Sequence, residues 1–231
     1  MTKRVMISQP MYFPWVGFIG QMNLCDLIIW LDDVQFSKGS FTNRIQIKTP
    51  NGLKWLTIPL FKKGSFQKIS ELSAIPNTDI AHQDIIFNAF RNSEFYNEIK
   101  DIFSTSWSHE RLIDVLISSC IETLRAVGGT LPPMKFSSEL AIASRGSDRV
   151  IDILNHVECT SYISGHGGKN YLNRDDFERH NIELSYMDYS VEAWPQQNGE
   201  FTKFVTSLDL LANVQPKERK RFLPEKVLRD F

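Results

Sequence analysis

The chain has 231 residues, 42% hydrophobic and 23% charged, the balance of a folded globular protein, which excludes a disordered chain. Its formal net charge of -1 gives no overall electrostatic drive toward nucleic acid or an acidic membrane, although such a sum hides any local basic patch. No apolar run approaches the ~20 residues of a membrane-spanning helix, so no membrane insertion is expected.

The N-terminus, MTKRVMISQPMYF, lacks the apolar stretch and cleavage site of a signal peptide, and the expected location is cytoplasmic. Cys25, Cys120 and Cys159 are widely scattered, as are the histidines. No CxxC pair or zinc spacing is present, so reduced thiols and no metal are expected.

The apolar run Val5-Met6-Ile7 predicts a buried first strand. Gln9-Pro10 ends it, Tyr12-Phe13-Pro14-Trp15 follows as an aromatic loop, and Gly17 opens a helix that Asp26 stops. Cys25 falls inside that predicted helix and reads as buried rather than nucleophilic. Leu27 to Leu31 predicts a second strand with Asp32-Asp33 at its exit. One strand–helix–strand passage therefore brings two polar strand ends together, where open α/β sheets place their ligands.

The loop from Val34 to Arg44 mixes aromatics with Lys38, Asn43 and Arg44. It reads either as an exposed turn with solvated charges or as a clamp whose cations bind phosphate or carboxylate. Ile45-Gln46-Ile47-Lys48, the turn residues Pro50-Asn51-Gly52 and Trp55-Leu56-Thr57-Ile58-Pro59 predict a β-hairpin with Asn51-Gly52 in its turn. Such a hairpin would hold Arg44 and Lys48 close to the first site. Lys62-Lys63-Gly64 reads as a solvated basic turn.

From about Asp79 to Val127 the chain is expected to be mainly helical. Ile85, Ile86, Ala89 and Phe90 mark one apolar face, and Leu112, Val115, Leu116, Ile121 and Leu124 a longer one. Gly128-Gly129 and Pro132-Pro133 end it. His82 and His109 lie near helix starts and read as structural or surface residues.

Ser147 is the expected N-cap of a helix from Asp148 to His156. Tyr162-Ile163 predicts a strand, Ser164 to Tyr171 a glycine-rich loop, Arg174 to His180 a short helix, and Ile182 to Met187 another strand. The glycine-rich loop matches neither GxxxxGK[ST] nor GxGxxG. On one reading Ser164, Gly165 and Gly167 bring backbone N–H groups to an anion, with Lys169 adding charge and His166 acting as acid or base. On the other it is a tight strand-to-helix connection in which glycine only satisfies positive φ. Near the C-terminus, Ser207 and Asp209 would cap a short helix packed through Leu208 and Leu211. The run Lys217-Glu218-Arg219-Lys220-Arg221 reads as a solvated helix surface, so no DNA partner is expected.

Two strand–loop–helix–strand passages predict an α/β fold, an open largely parallel sheet flanked by helices, with a β-hairpin and a helical insertion. One domain is expected over residues 1–231, with its α/β core at about 1–60 and 147–211 and the insertion at about 79–127.

QPMYFPWVGF, LDDVQFSKGSFTNR, WLTIP, ISGHGGKNYL and SLDLL together resemble the pattern of the WbqC-like protein family over nearly the whole chain. The chain departs from that pattern at Trp194-Pro195-Gln196, where a tyrosine is expected before the glutamine. The resemblance implies a place in bacterial surface-polysaccharide (O-antigen, lipopolysaccharide) biosynthesis. The implied chemistry is transfer of an acyl or aminoacyl group, glycyl among the candidates, onto a nucleotide-linked amino sugar. The activated donor would be a carrier-protein thioester, an aminoacyl-tRNA or an adenylate.

Such a transferase would use Gln9, Tyr12 and Trp15 for substrate shape and Lys38, Asn43 and Arg44 for a phosphate or carboxylate. Asp32, Asp33 or His166 would serve as base or orienting group, because an amine loses a proton as it attacks an acyl carbon. The stretch from Ser164 to Lys169 would form the opposite wall. No cofactor and no covalent intermediate are expected. Two other readings compete: a non-catalytic module that binds a sugar nucleotide or carrier protein, and an ATP-dependent carboxylate-activating enzyme. A looser likeness in fold to the first α/β unit of class I synthetases and nucleotidyltransferases does not imply ATP use, because their histidine signature is missing here.

Overall fold

A computed structural model describes residues 2–61 and 66–229, and the turn expected at Lys62-Lys63-Gly64 lies outside them. The first strand, β1 (Arg4–Ser8), and the second, β2 (Leu27–Trp30), carry consecutive apolar residues because both faces of their sheet are covered. Met6, Ile28 and Trp30 enter one core, while Val5, Ile7, Leu27 and Ile29 enter the other. Between them runs α1 (Val16–Leu24). Cys25 is buried as expected, but it caps the end of this helix instead of lying within it.

The predicted hairpin forms from β3 (Arg44–Thr49) and β4 (Gly52–Thr57) as a separate two-stranded antiparallel sheet. Its tight loop is Pro50-Asn51, one residue earlier than expected, because Thr49 already pairs with Gly52. Gly52 holds φ at 95°, a conformation that favours glycine. The helical stretch divides into α2 (Thr78–Phe90), α3 (Tyr96–Ser106) and α4 (Leu112–Ala126). A short strand absent from the sequence reading follows, β5 (Met134–Phe136). Next come α5 (Gly146–His156), β6 (Ser161–Ser164), α6 (Arg174–Arg179) and β7 (Glu183–Met187). The chain then forms α7 (Leu208–Asn213), α8 (Pro216–Arg219) and β8 (Val227–Leu228).

Three local expectations need correction. Helix α5 starts at Gly146 rather than Asp148, with Arg145 in the N-cap position and no side-chain cap. Ser207 precedes α7 without a side-chain cap hydrogen bond, and its buried Oγ lacks a partner among the described residues; Asp209 binds Trp194 instead. Within the Lys217–Arg221 run, Arg219 is wholly buried rather than solvated.

The large sheet has the order β5-β2-β1-β6-β7-β8, parallel throughout except for the antiparallel edge strand β8. This is an α/β fold with a mostly parallel six-stranded sheet. The chain builds outward from β1 through β2 to β5, then returns to the other side of β1 with β6 and continues to β7. The direction of winding therefore switches between β1 and β6, and ligands of open α/β sheets bind outside the carboxyl ends at such a point. Among the described residues no helix is long and apolar enough to cross a membrane.

Candidate functional site

A cleft of about 710 Å³ opens at that carboxyl edge. Gln9, directly after β1, and Leu31, Asp33 and Gln35, beyond β2, form one wall. The opposite wall is the start of α5, from Ser144 through Arg149, while Phe66, Lys68 and Tyr171 complete the rim. Among the described residues three cations, Lys68, Arg145 and Arg149, and one carboxylate, Asp33, line this cleft, which is electropositive within a nearly neutral chain. The uncapped first turn of α5 adds backbone N–H groups and the positive end of the helix dipole. Gly146 makes that start possible, since its φ of 61° would strain any other residue there.

The two aspartates at the exit of β2 have different surroundings. Asp32 is buried: its Oδ1 accepts from the Ser138 N–H at 3.0 Å and the Ser137 hydroxyl at 3.2 Å, and its Oδ2 accepts from the Ser138 hydroxyl at 2.6 Å. It fastens the β2 exit to the turn after β5 and does not line the cleft. Asp33 does line it, accepting from Ser137 Oγ at 2.6 Å and from Arg149 Nη2 at 2.6 Å. Burial alone would raise the Asp33 carboxyl, but the hydrogen bonds from Arg149 and Ser137 and the Arg149 charge hold it below the usual carboxylate range. The Nε of Arg149 is buried and has no hydrogen-bond partner among the described residues.

Gln9 braces this wall, its Nε2 donating to the Gln35 carbonyl at 3.4 Å and its Oε1 accepting from Thr42 Oγ1 at 3.1 Å. A second pocket, of about 540 Å³, shares Gln35 with the first and is lined by Lys38, Asn43 and Arg44. Asn43 is buried and donates its amide to the Ile58 carbonyl at 2.9 Å.

The other expected site residues line neither space. Tyr12 is fully buried, its hydroxyl meeting His82 Nδ1 at 3.0 Å and Trp107 Nε1 at 3.1 Å. Beside it Phe13 holds φ at 36°, an unfavourable value for a residue with a side chain. Ser119 Oγ accepts from its N–H, and Thr206 Oγ1 donates to its carbonyl. The aromatic loop is thus pinned between α4 and the segment before α7, leaving a crevice of about 10 Å³ beside Tyr12 and Trp15. Trp15 packs on Tyr189 with ring centroids 4.6 Å apart.

In the glycine-rich loop Ser164 is buried and turns its hydroxyl to the Gly165 carbonyl, and residues His166–Asn170 wind into a 3-10 turn. His166 Nε2 meets the Met187 carbonyl at 2.7 Å and its ring packs on Tyr189, while Lys169 lies over the Tyr186 ring. Around Gly167 a side chain would meet open space, whereas at Gly165 it would approach the Tyr189 hydroxyl. The structure thus brings Gln9 and Asp33 to one space and Lys38, Asn43 and Arg44 to its neighbour. Lys68, Arg145 and Arg149 carried no expected role, and Tyr171 was expected only as the end of the glycine-rich loop. The available signal was Ser144-Arg145-Gly146-Ser147, small residues around an arginine at the head of an apolar helical period.

The chain is thus a doubly wound α/β protein with a cleft at the switch point of its sheet. The chain belongs to the WbqC-like protein family, whose pattern it matches over residues 9–221. It is also 29% identical over 218 residues to Uncharacterized protein Rv1507c of Mycobacterium tuberculosis, spanning 92% of this chain and 94% of that one. No solved structure matches the chain significantly.

Proposed function

We propose that this protein is a group transferase that binds a nucleotide-linked amino sugar in the first cleft and places an acyl or aminoacyl group on its amine. The supporting observation is the meeting of Lys68, Arg145, Arg149 and the uncapped start of α5 at the carboxyl edge of the sheet. Phosphate oxygens suit that set of donors, because arginine and helix N–H groups both offer directed hydrogen bonds to anions. Phe66 and Tyr171, 69% and 55% exposed on the rim, supply aromatic faces for a base or sugar ring. The family's expected place in surface-polysaccharide biosynthesis suits a sugar nucleotide.

In this reaction the amine nitrogen attacks the acyl carbon, an amide bond forms, and the donor's thiol or hydroxyl leaves with the proton. Asp33, held ionised, is poorly matched to take that proton at neutral pH. Its role on this reading is to orient the amine and to hold Arg149 in place. The same pairing also favours a second reading, a binding module without chemistry, since the Asp33 carboxylate is already engaged.

Mass spectrometry of the protein with a nucleotide-linked amino sugar and a panel of activated donors tests the proposal. An acyl mass gain on the sugar is expected, and no gain on any amino sugar overturns it. Arg149→Gln should weaken sugar-nucleotide binding about tenfold or more. Asp33→Asn should lower turnover at nearly unchanged affinity; a binding module would have no turnover to lose.

A further inference from the structure

The second pocket differs from the first in chemistry. Its floor is apolar, with the fully buried Ile58 flanked by Phe36 and Leu60, while Lys38 and Arg44 supply two cations. No aspartate or glutamate among the described residues lines it. Arg44 is held at the pocket wall: its guanidinium stacks on Trp55, 4.3 Å from the ring centroid, and its Nε is buried with no hydrogen-bond partner among the described residues. A buried donor without an acceptor is unfavourable until something accepts from it. Gly39 lies against the same side chain, where an added Cβ would stand 3.6 Å from Arg44 Nη2.

We propose that this pocket binds an anion carried on an apolar body, with a carboxylate or phosphate ester on Arg44 and Lys38 and the body against Ile58, Phe36 and Leu60. On the transferase reading, on which this role rests, the pocket seats the acyl donor beside the sugar nucleotide. Gln35, the wall common to both spaces, is then the ridge across which the acyl group passes. The carbonyl of Gln35 is held from the first cleft by Gln9, and its backbone is bridged to Lys68, so the ridge is built from both sides.

Ligand-observed NMR titrations with hexyl phosphate, hexanoate and 1-hexanol, without any sugar nucleotide, test the pocket by itself. Both anions should bind, and the alcohol should bind about tenfold or more weakly, because it lacks the charge-assisted hydrogen bonds. Arg44→Gln, made in an Arg149→Gln background in which the phosphate donors of the first cleft are already weakened, should bring the anions down toward the alcohol. If Arg44→Gln does not fold by thermal melt, Arg44→Lys replaces it and should still weaken the anions severalfold, since an ammonium lacks the stacked planar fork. Equal binding of alcohol and acid, or anion affinity indifferent to Arg44, overturns the inference. Acyl transfer without binding of these alkyl anions would sink this pocket alone; alkyl-anion binding without any transfer would sink the transferase reading alone.

Discussion

Asp209 stands one residue into α7, 1% exposed, with its Oδ1 accepting from Trp194 Nε1 at 2.8 Å. Burial pushes its carboxyl up to about 6, against the smaller pull of Trp194 and the nearby Lys48 charge. The folded protein therefore holds this proton more tightly than the unfolded chain, whose aspartate titrates near ~3.9. The associated stability is whole below about pH 4 and is lost as pH rises through about 6. Thermal melts across that window should show the native protein losing ground to Asp209→Asn, which keeps an acceptor for Trp194 and cannot titrate. Parallel melting curves would refute this. Asp33 has the opposite sign: its depressed pKa contributes stability above the ordinary carboxylate range, lost as the solution is acidified through the folded value. Both aspartates at the β2 exit were legible in the sequence as a pair, but their difference was not. Ser137, Ser138 and Arg149, which separate them, lie more than a hundred residues away.

At the scale of elements, legibility followed length and period. The helices of residues 78–126 carry enough turns to show an apolar face, and β1 and β2 read as buried runs. Strands β5 and β8, three and two residues long, exist through pairing with β2 and β7 and carry no period of their own. Glycines were legible as punctuation, yet in α1 their reason is contact. A Cβ on Gly17 would fall 2.4 Å from the Trp15 ring, and one on Gly20 would fall 2.6 Å from the Pro224 ring and 2.7 Å from its carbonyl oxygen. Alanine at position 20 would gain about 1 kcal/mol of helix propensity. The overlap is with backbone as well as ring, so the packing cost of about 1–3 kcal/mol should win. Urea unfolding is expected to show Gly20→Ala less stable than the native protein, and a raised midpoint would show that the Pro224 segment yields freely.

For the whole molecule, the least legible feature is what ties the C-terminal segment to the helices between the hairpin and β5. Arg219 came from a run that read as a solvated helix surface, since all five of its residues are charged. Instead its guanidinium donates to both Glu98 oxygens, at 2.7 and 2.6 Å, and to the carbonyls of Ala126, Leu211 and Val214 at 2.8 to 2.9 Å. Those partners belong to the first turn of α3, the last residue of α4, and α7 with its C-cap. Carbonyls at helix ends carry partial negative charge, so one cation joins α7 to the consecutive helices α3 and α4, which precede it by more than eighty residues. Glu98 is 34% exposed and can be rehydrated, but the carbonyls cannot. Arg219→Met fills the space and removes every donor, so its cost is the unmet acceptors, about 3 kcal/mol. That corresponds to a fall of about 6–12 °C in melting temperature for a chain of this size. Arg219→Lys, with three donors and no planar fork, should fall between the two. Arg219 lines neither pocket, so ligand affinity of the folded variants should be unchanged. A native-like urea midpoint for Arg219→Met would mean that apolar packing alone holds the C-terminal segment against these helices.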